Sequence, residues 1–485
     1  MGTVALVRMQ KAVYDNLHVQ KAVEEAFCMM GYDAEHIGKP EWNPLGEIIR
    51  PGDKVLIKPN MVMHRNYNLH GGIECLFTQS SVVEAVLKYV VRALGGSEGG
   101  QVIVADAPMQ ACDFDQLITE FGYQEMIDNY QRQYPEINFK LKDLRGIKSV
   151  WKNGFYRYHE NPNVEQMVVR LDANSEFANL PPERIAAMRV TDYDPDIMLQ
   201  HHNAERHEYA VAKDILDADV IINMPKPKTH RKAGITSALK NLVGMCVRKE
   251  YLPHHTNGEY TEESSKEGGD AYKNRTVFRR VQDYLLDYKN RCAQTYNWPK
   301  LAWLLQQLLR ANNLFARFLC EEEFSEGNWY GNHTISKTIT DLNKIVFYAK
   351  KNGEMSPDGK KKVRRYLIVA DMIVAGDGEG PLSPSPNPLG IIGVADNPVC
   401  FDEVIATLYG AKMEYMHTIN QARSTSDGKY PLVNNEEKAC IKSNVHAWNG
   451  KKCQDIKLKD KLLVTPTTGW REAFYSCNVD DRGLA

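Results

Sequence analysis

The sequence predicts an α/β protein: a mostly parallel sheet with flanking helices, plus a helical insertion. Three observations predict it. Short β-branched runs are apolar on both faces, as strands covered by helices on each side must be. These runs alternate with longer amphipathic patterns, the order that builds a parallel sheet. The alternation then stops for one long polar and helical stretch before resuming.

The elements follow in chain order. Val55-Leu56-Ile57, after the turn Arg50-Pro51-Gly52-Asp53, reads as a buried strand, and Ser80 or Ser81 is placed to cap a helix carrying Val82, Val83, Val86, Leu87, Val90 and Leu94. Gly95-Gly96 ends that helix, and Gln101 through Asp106 completes a βαβ unit. The pattern recurs at Ala210 to Leu216 with Ala218 to Asn223, at Tyr366 to Asp371, at Gly390 to Val394, and in a helix after Asn397-Pro398. Residues 1–256 and 331–410 are thus two parts of one α/β core. Between them, residues 257–330 form the insertion: a polar, glycine-containing loop over 257–275, long enough to act as a lid, then an amphipathic helical segment over 276–320. In that segment Leu301, Leu304, Leu305, Leu308, Phe315 and Leu319 share one face. Residues 411–485 have weak periodicity and are read as a mixed C-terminal segment.

Composition narrows the function classes. A chain of 485 residues, 43% apolar and 25% charged, can bury a substantial core, which excludes a disordered or collagen-like protein. Sixty basic against sixty-two acidic residues leave a net charge of -2, so no global field draws the chain to nucleic acid, and any anion site must be local. Ten cysteines without a CxxC pair argue against a zinc ribbon, and no iron-sulfur cluster is expected. The N-terminal residues lack a signal-peptide pattern, and no stretch reaches the roughly 18 to 20 apolar residues of a membrane span. The expected location is the cytoplasm, with residues 276–320 a candidate contact for a membrane surface or a partner protein. Assembly into a homo-oligomer is compatible with the same segment.

Three strand ends carry candidate chemistry. The first runs from Asn223 to Leu242, leaving a buried strand for a helix, the position at which open α/β sheets hold ligands. Lys226, Lys228, His230, Arg231 and Lys232 stand there beside Thr236 and Ser237, and a helix starting at this point would add backbone N–H donors; Lys240 and Asn241 follow one turn later. This pattern is expected to cradle an anion. The second strand end delivers Lys58 and Asn60, and a lysine ending a buried strand implies a use for its charge. The third, Asp371 to Leu382, alternates glycines with Asp377 and Glu379, so that with Asp371 these carboxylates are candidate ligands for Mg²⁺ or Mn²⁺.

These segments resemble a bacterial family, the domain of unknown function 362 (DUF362). The resemblance rests on Lys58-Pro59-Asn60, Ala105-Asp106-Ala107-Pro108, Asp219 through Gly244, Leu252-Pro253-His254-His255 with Gly268-Gly269-Asp270, Trp329 through Thr334 with Asp341-Leu342-Asn343, and Asp371 through Leu382. It implies the variety without ferredoxin cysteine clusters, similar to proteins encoded among surface-polysaccharide genes. It also gives weight to His254 or His255 as acid or base oriented by Asp270, and it suggests an aspartate where His333 stands.

The expectation is a metal-assisted enzyme acting on a phosphorylated or other anionic small molecule, such as an activated sugar intermediate of surface-polysaccharide biosynthesis, by transfer or ligation. Two alternatives use the same residues. One is an isomerase or racemase abstracting a proton next to a carboxylate, and the other is a non-catalytic metabolite-binding subunit of a complex.

Overall fold

A computed structural model describes residues 2–95, 99–152, 155–260, 268–274, 276–319 and 324–475. Part of the polar loop, residues 261–267 and 275, lies outside the described residues, as does residue 320 of the helical segment.

Among the described residues eight strands build the central sheet: β1 (Gly2–Arg8), β2 (Lys54–Pro59), β3 (Gln101–Asp106), β4 (Asn138–Asp143), β5 (Val220–Met224), β6 (Arg365–Met372), β7 (Ile391–Ala395) and β8 (Ala439–Ser443). Their order across the sheet is β8-β1-β7-β6-β5-β2-β3-β4. All neighbours pair in parallel except β7, which runs against both β1 and β6. The Gly390–Val394 run therefore supplies the antiparallel strand of a mostly parallel sheet. β8 comes from the segment whose periodicity is weak, so the C-terminal residues complete the core sheet.

Both faces are buried, which is why the strands are apolar without alternation. Val55 and Ile57 pack into one hydrophobic layer and Leu56 into the other; Val220 and Ile222 divide from Ile221 in the same way. Each fully buried aliphatic side chain of this kind contributes about 1.5–3 kcal/mol. The first layer is covered by helices Asn16–Met30 and Ser80–Leu94, the second by Thr334–Tyr348 and Pro398–Leu408.

Local chemistry sets the helix ends. Gly95 takes the left-handed conformation (φ 68°) that closes helix Ser80–Leu94, where a residue with Cβ would be strained. Neither serine caps its start, however: Ser80 is already helical and its hydroxyl donates to the Phe121 carbonyl. Asn397 caps Pro398–Leu408 by accepting from the amides of Val399 and Cys400.

Two features position the site. Strands β2, β3 and β4 step toward one edge, whereas β5 and β6 lie on the other side of β2, so the winding reverses between β2 and β5. At that reversal Lys58 is in register with Asn223, and Pro59 with Met224. Above it stands a small sheet of Gly234–Thr236, Lys228–His230, Ala375–Glu379 and Ser383–Asn387. The insertion is a helical hairpin, Val277–Gln294 and Pro299–Leu319. Its second helix buries Ala302, Leu305, Leu309 and Ala316, leaving Leu304, Leu308, Phe315 and Leu319 exposed. The single apolar face expected from sequence is thus divided between core and solvent. Among the described residues no helix is long and apolar enough to cross a membrane.

Candidate functional site

A cleft of about 150 Å³ opens at the carboxyl ends of β2, β3 and β5, where the winding reverses. Lys58, Asn60, Lys228, His230, Lys240, Asn241 and His254 line it together, although they come from segments far apart in the chain. Lys249 and Asp106 also line it, and were not singled out from the sequence. Asp106 ends a buried strand, which is a legible signal; Lys249 opens the short helical turn Lys249–Tyr251 and gives none.

An asparagine network fixes the floor. The Asn241 amide donates to the Lys58 carbonyl at 3.1 Å and to Asn223 Oδ1 at 2.6 Å, while its oxygen accepts from Asn60 at 3.2 Å and Lys58 Nζ at 3.3 Å. Asn60 in turn accepts from Lys228 Nζ at 3.0 Å. Strands β2 and β5 and the short helix Ala238–Asn241 are thereby locked together by groups that leave few polar atoms unmatched.

The cations of the cleft fall into two kinds. Lys58 Nζ lies 2.7 Å from Asp106 Oδ1 and its charge is balanced. Gly244 allows this, since a Cβ there would stand 2.0 Å from Asp106 Oδ1. Lys228 bonds to Asn60 and the Leu76 carbonyl, but to no carboxylate among the described residues. Lys240 and Lys249 have no hydrogen-bond or ion-pair partner among the described residues. Burial, then the neighbouring Lys226 charge, pushes Lys228 down to about 7. Burial, then Lys249, Lys232 and Lys58, pushes Lys240 down to about 7 as well. A desolvated ammonium group without a carboxylate partner is costly.

Two histidines complete the wall. His230 Nδ1 accepts from the amides of Lys232 and Ala233 at 3.0 and 3.2 Å, and burial beside Lys240 and Arg231 holds the ring neutral. His254 Nδ1 donates to the Leu252 carbonyl at 2.6 Å; burial, then Lys232, lowers its pKa to about 3, so Nε2 keeps a lone pair at neutral pH. The opposite wall, residues 190–193, is held by the insertion, for Asn290 donates to the carbonyls of Thr191 and Tyr193 at 3.0 Å each.

Other expected site residues lie elsewhere. Lys226 and Asp371 form a fully buried ion pair at 2.9 Å, with Tyr14 donating to Asp371 at 2.9 Å and accepting from Lys226 at 2.6 Å. Neither side chain lines the cleft. Asp377 accepts from the Thr465 amide at 3.1 Å, and Glu379 from the Thr468 amide and hydroxyl at 2.9 and 2.7 Å. The three carboxylates do not converge, and the described residues contain no group of three acidic, histidine or cysteine side chains able to hold a metal ion. The glycines of this loop allow close packing: a Cβ on Gly376 would stand 2.9 Å from Lys228 Cβ, and one on Gly380 2.0 Å from the Thr229 carbonyl oxygen.

Asp270 forms no hydrogen bond with the side chain of His254 or His255 among the described residues. Its oxygens accept from the Thr256 amide at 2.6 Å, the His333 and Thr334 amides at 3.0 and 2.8 Å, and the Thr334 hydroxyl at 2.6 Å, so it caps helix Thr334–Tyr348 from a distant loop. His255 is buried beside Thr256 and does not line the cleft. His333 lies at the start of the helix that Asp270 caps, with its ring tilted against that of His417, centroids 3.8 Å apart. The helix expected to offer free N–H groups to an anion is only four residues long, and the amides of Ala238 and Leu239 already donate to Asp402 at 2.8 and 3.0 Å. The cations of the cleft are all side-chain groups.

A larger cavity, about 290 Å³, lies at the amino ends of β2 and β3. Two of its four lysines are paired, Lys142 with Asp214 at 2.7 Å and Lys213 with Asp217 at 3.4 Å, while Lys54 and Lys140 form no ion pair among the described residues.

Known proteins extend these observations. The thylakoid-associated protein sll1697 of Synechocystis sp. (strain PCC 6803) is 27% identical over 203 residues, 42% of this chain and 42% of that protein. The chain thus matches less than half the length of this curated relative. The model of a domain of unknown function, DUF362, matches residues 55–157 and 163–407, a span that contains all of β2 but its first residue, β3 through β7 and every residue of the cleft. The chain therefore belongs to the DUF362 family.

Proposed function

We propose that the cleft binds the phosphate or carboxylate of a small anionic metabolite and that the protein acts on that molecule as an enzyme. The observation that carries this reading is the pair Lys228, buried, and Lys240, half-buried, at a sheet switch point, both held down to about 7 and unmatched by any carboxylate among the described residues. An anion between them gains charge-assisted hydrogen bonds, and the cations would stabilise negative charge developing at a phosphoryl or carboxyl centre. The substrate class that best fits this cradle and the family resemblance is an activated sugar phosphate of surface-polysaccharide biosynthesis, transformed by transfer or ligation. Asp371, Asp377 and Glu379 do not assemble, so in this reading Mg²⁺ or Mn²⁺ enters with the substrate phosphate.

A thermal-shift and calorimetry series tests it, using sulfate, phosphate, sugar phosphates, nucleotide sugars and small carboxylates, each with and without Mg²⁺ or Mn²⁺. A ligand at about a hundred times its dissociation constant adds roughly 2.7 kcal/mol to stability. Stabilisation by phosphorylated compounds, lost in Lys240→Met, supports the reading. A response to none of these anions overturns it.

One observation favours a second chemistry at the same cleft. A lysine poised near 7 without a partner is matched to proton abstraction at neutral pH, and Lys240 is such a group. Solvent deuterium entering a bound carboxylate next to its carboxyl group, without transfer to an acceptor, would select that isomerase-type reaction.

A further inference from the structure

The helical hairpin of the insertion presents a surface that the cleft does not use. We propose that this hairpin, Val277–Gln294 and Pro299–Leu319, docks the protein on the surface of an anionic lipid bilayer.

The outward side of the hairpin is apolar where a helix on a globular core is normally polar. Helix Pro299–Leu319 buries one stripe, and on the opposite side Leu304, Leu308, Ala311, Phe315 and Phe318 follow the spacing i, i+4, i+7, i+11, i+14. Phe318 is 80% exposed and Phe315 58%. The first helix repeats the arrangement with Val277, Val281, Tyr284 and Tyr288, all exposed, Tyr284 to 83%. Trp298 and Trp303, about half exposed at the turn between the helices, are of the type that settles at a membrane–water boundary.

Charge decides the occupant. Helix Pro299–Leu319 contains Lys300, Arg310 and Arg317 and no aspartate or glutamate. All three cations are exposed, and none forms an ion pair among the described residues. The acids of the first helix are turned away: Asp283 accepts from Tyr272 and Asp287 pairs with Arg189 at 3.0 Å. An exposed apolar stripe edged by unmatched cations complements anionic headgroups over acyl chains. A second copy of the chain would bring the same cations to the contact with no acid on this helix to meet them. Three charges in one helix, and the absence of a membrane-crossing helix among the described residues, make the geometry one of lying on the bilayer.

The test is flotation of the full chain with vesicles of phosphatidylcholine alone and of phosphatidylcholine with about a third phosphatidylglycerol. Wild type is expected to float with the anionic vesicles at least about tenfold more than with the neutral ones, and Arg310→Glu/Arg317→Glu to lose that preference. Leu308→Glu/Phe315→Glu is expected to abolish flotation with unchanged circular dichroism, since these side chains are exposed. Absence of flotation with either vesicle overturns the proposal, as does equal binding to both with no effect of charge reversal. A dimer in sedimentation velocity that Leu308→Glu/Phe315→Glu dissociates, without vesicle binding, reassigns the face to a second copy.

Discussion

Lys226 Nζ stands 2.9 Å from Asp371 Oδ2, and neither side chain reaches solvent. The sequence pattern suggests a cation for substrate and a carboxylate for metal, yet each is the other's partner, with Tyr14 and the Gln79 amide filling the remaining valences. Their role is to join the exit of β5 to the exit of β6, directly beside the cleft. Removing one partner leaves an isolated buried charge. Lys226→Met and Asp371→Asn should each lower stability by about 3–5 kcal/mol in urea unfolding, whereas Lys226→Met/Asp371→Leu should recover much of the loss. A single variant of wild-type stability would show that the pair is not closed as described.

Lys240 should behave in the opposite way. Because it has no partner among the described residues, Lys240→Met removes an uncompensated, half-buried cation and should leave stability unchanged or raised. Sulfate or phosphate binding should weaken by about 10- to 150-fold, the equivalent of one charge-assisted hydrogen bond of roughly 1.5–3 kcal/mol. Titration calorimetry of the two proteins measures both effects, and equal affinity would remove Lys240 from the anion site.

These contrasting lysines mark what was legible in the sequence. Val55-Leu56-Ile57 and Val220-Ile221-Ile222 announce a parallel sheet because strands covered on both faces cannot carry polar residues. Lys58, Asn60, Lys228 and His230 were legible for the complementary reason, that polar groups at or just beyond the ends of such strands need a purpose; Lys240 and Asn241 follow one helical turn later, and His254 stood out only through the family resemblance. Pairing was not legible, because Lys226 and Lys228 are two residues apart and only the fold aims one at Asp371 and the other at Asn60. Asp270 misleads for a related reason. It lies next in sequence to two glycines, and its partners are the first amides of a helix begun at Thr334. Strand direction is also silent in composition, so nothing in Ile391-Ile392-Gly393-Val394 distinguishes the antiparallel β7 from its neighbours.

The lysines also fix a pH dependence. Lys228 and Lys240 are held down to about 7, against an ordinary 10.5, so between those values the folded chain carries fewer protons on them than the unfolded chain. Their contribution to stability therefore rises with pH from about 7 toward 10.5, and the penalty is complete below 7. Anion affinity must run the other way, since the anion needs the charged form. Sulfate, which does not titrate in this range, should bind with constant affinity below about pH 7 and weaken by up to about tenfold per unit above it for each lysine that must be protonated. His254, with a pKa near 3, stays neutral throughout and adds no slope. Calorimetry from pH 6 to 9 checks this, and a flat profile would show that neither lysine meets the ligand.

Gly244 follows the short helix Ala238–Asn241, and its role follows from the ion pair beneath it. A Cβ at this position would stand 2.0 Å from Asp106 Oδ1 and 2.8 Å from Lys58 Nζ. Asp106 cannot retreat freely, because its other oxygen accepts from the Met61 amide at 2.7 Å, and Gly244 is itself tied down through its carbonyl to the Ala107 amide at 2.9 Å. Gly244→Ala should therefore break the Lys58–Asp106 contact and lower stability by about 3–5 kcal/mol, the range for a buried pair losing its partner. Asp106→Asn should fall in the same range by a different route, keeping the shape and removing the charge. If both substitutions leave the urea midpoint unchanged, the pair separates at no cost and the glycine answers to another constraint. If Gly244→Ala alone is disruptive, the constraint is steric and the charge of Asp106 is dispensable for folding.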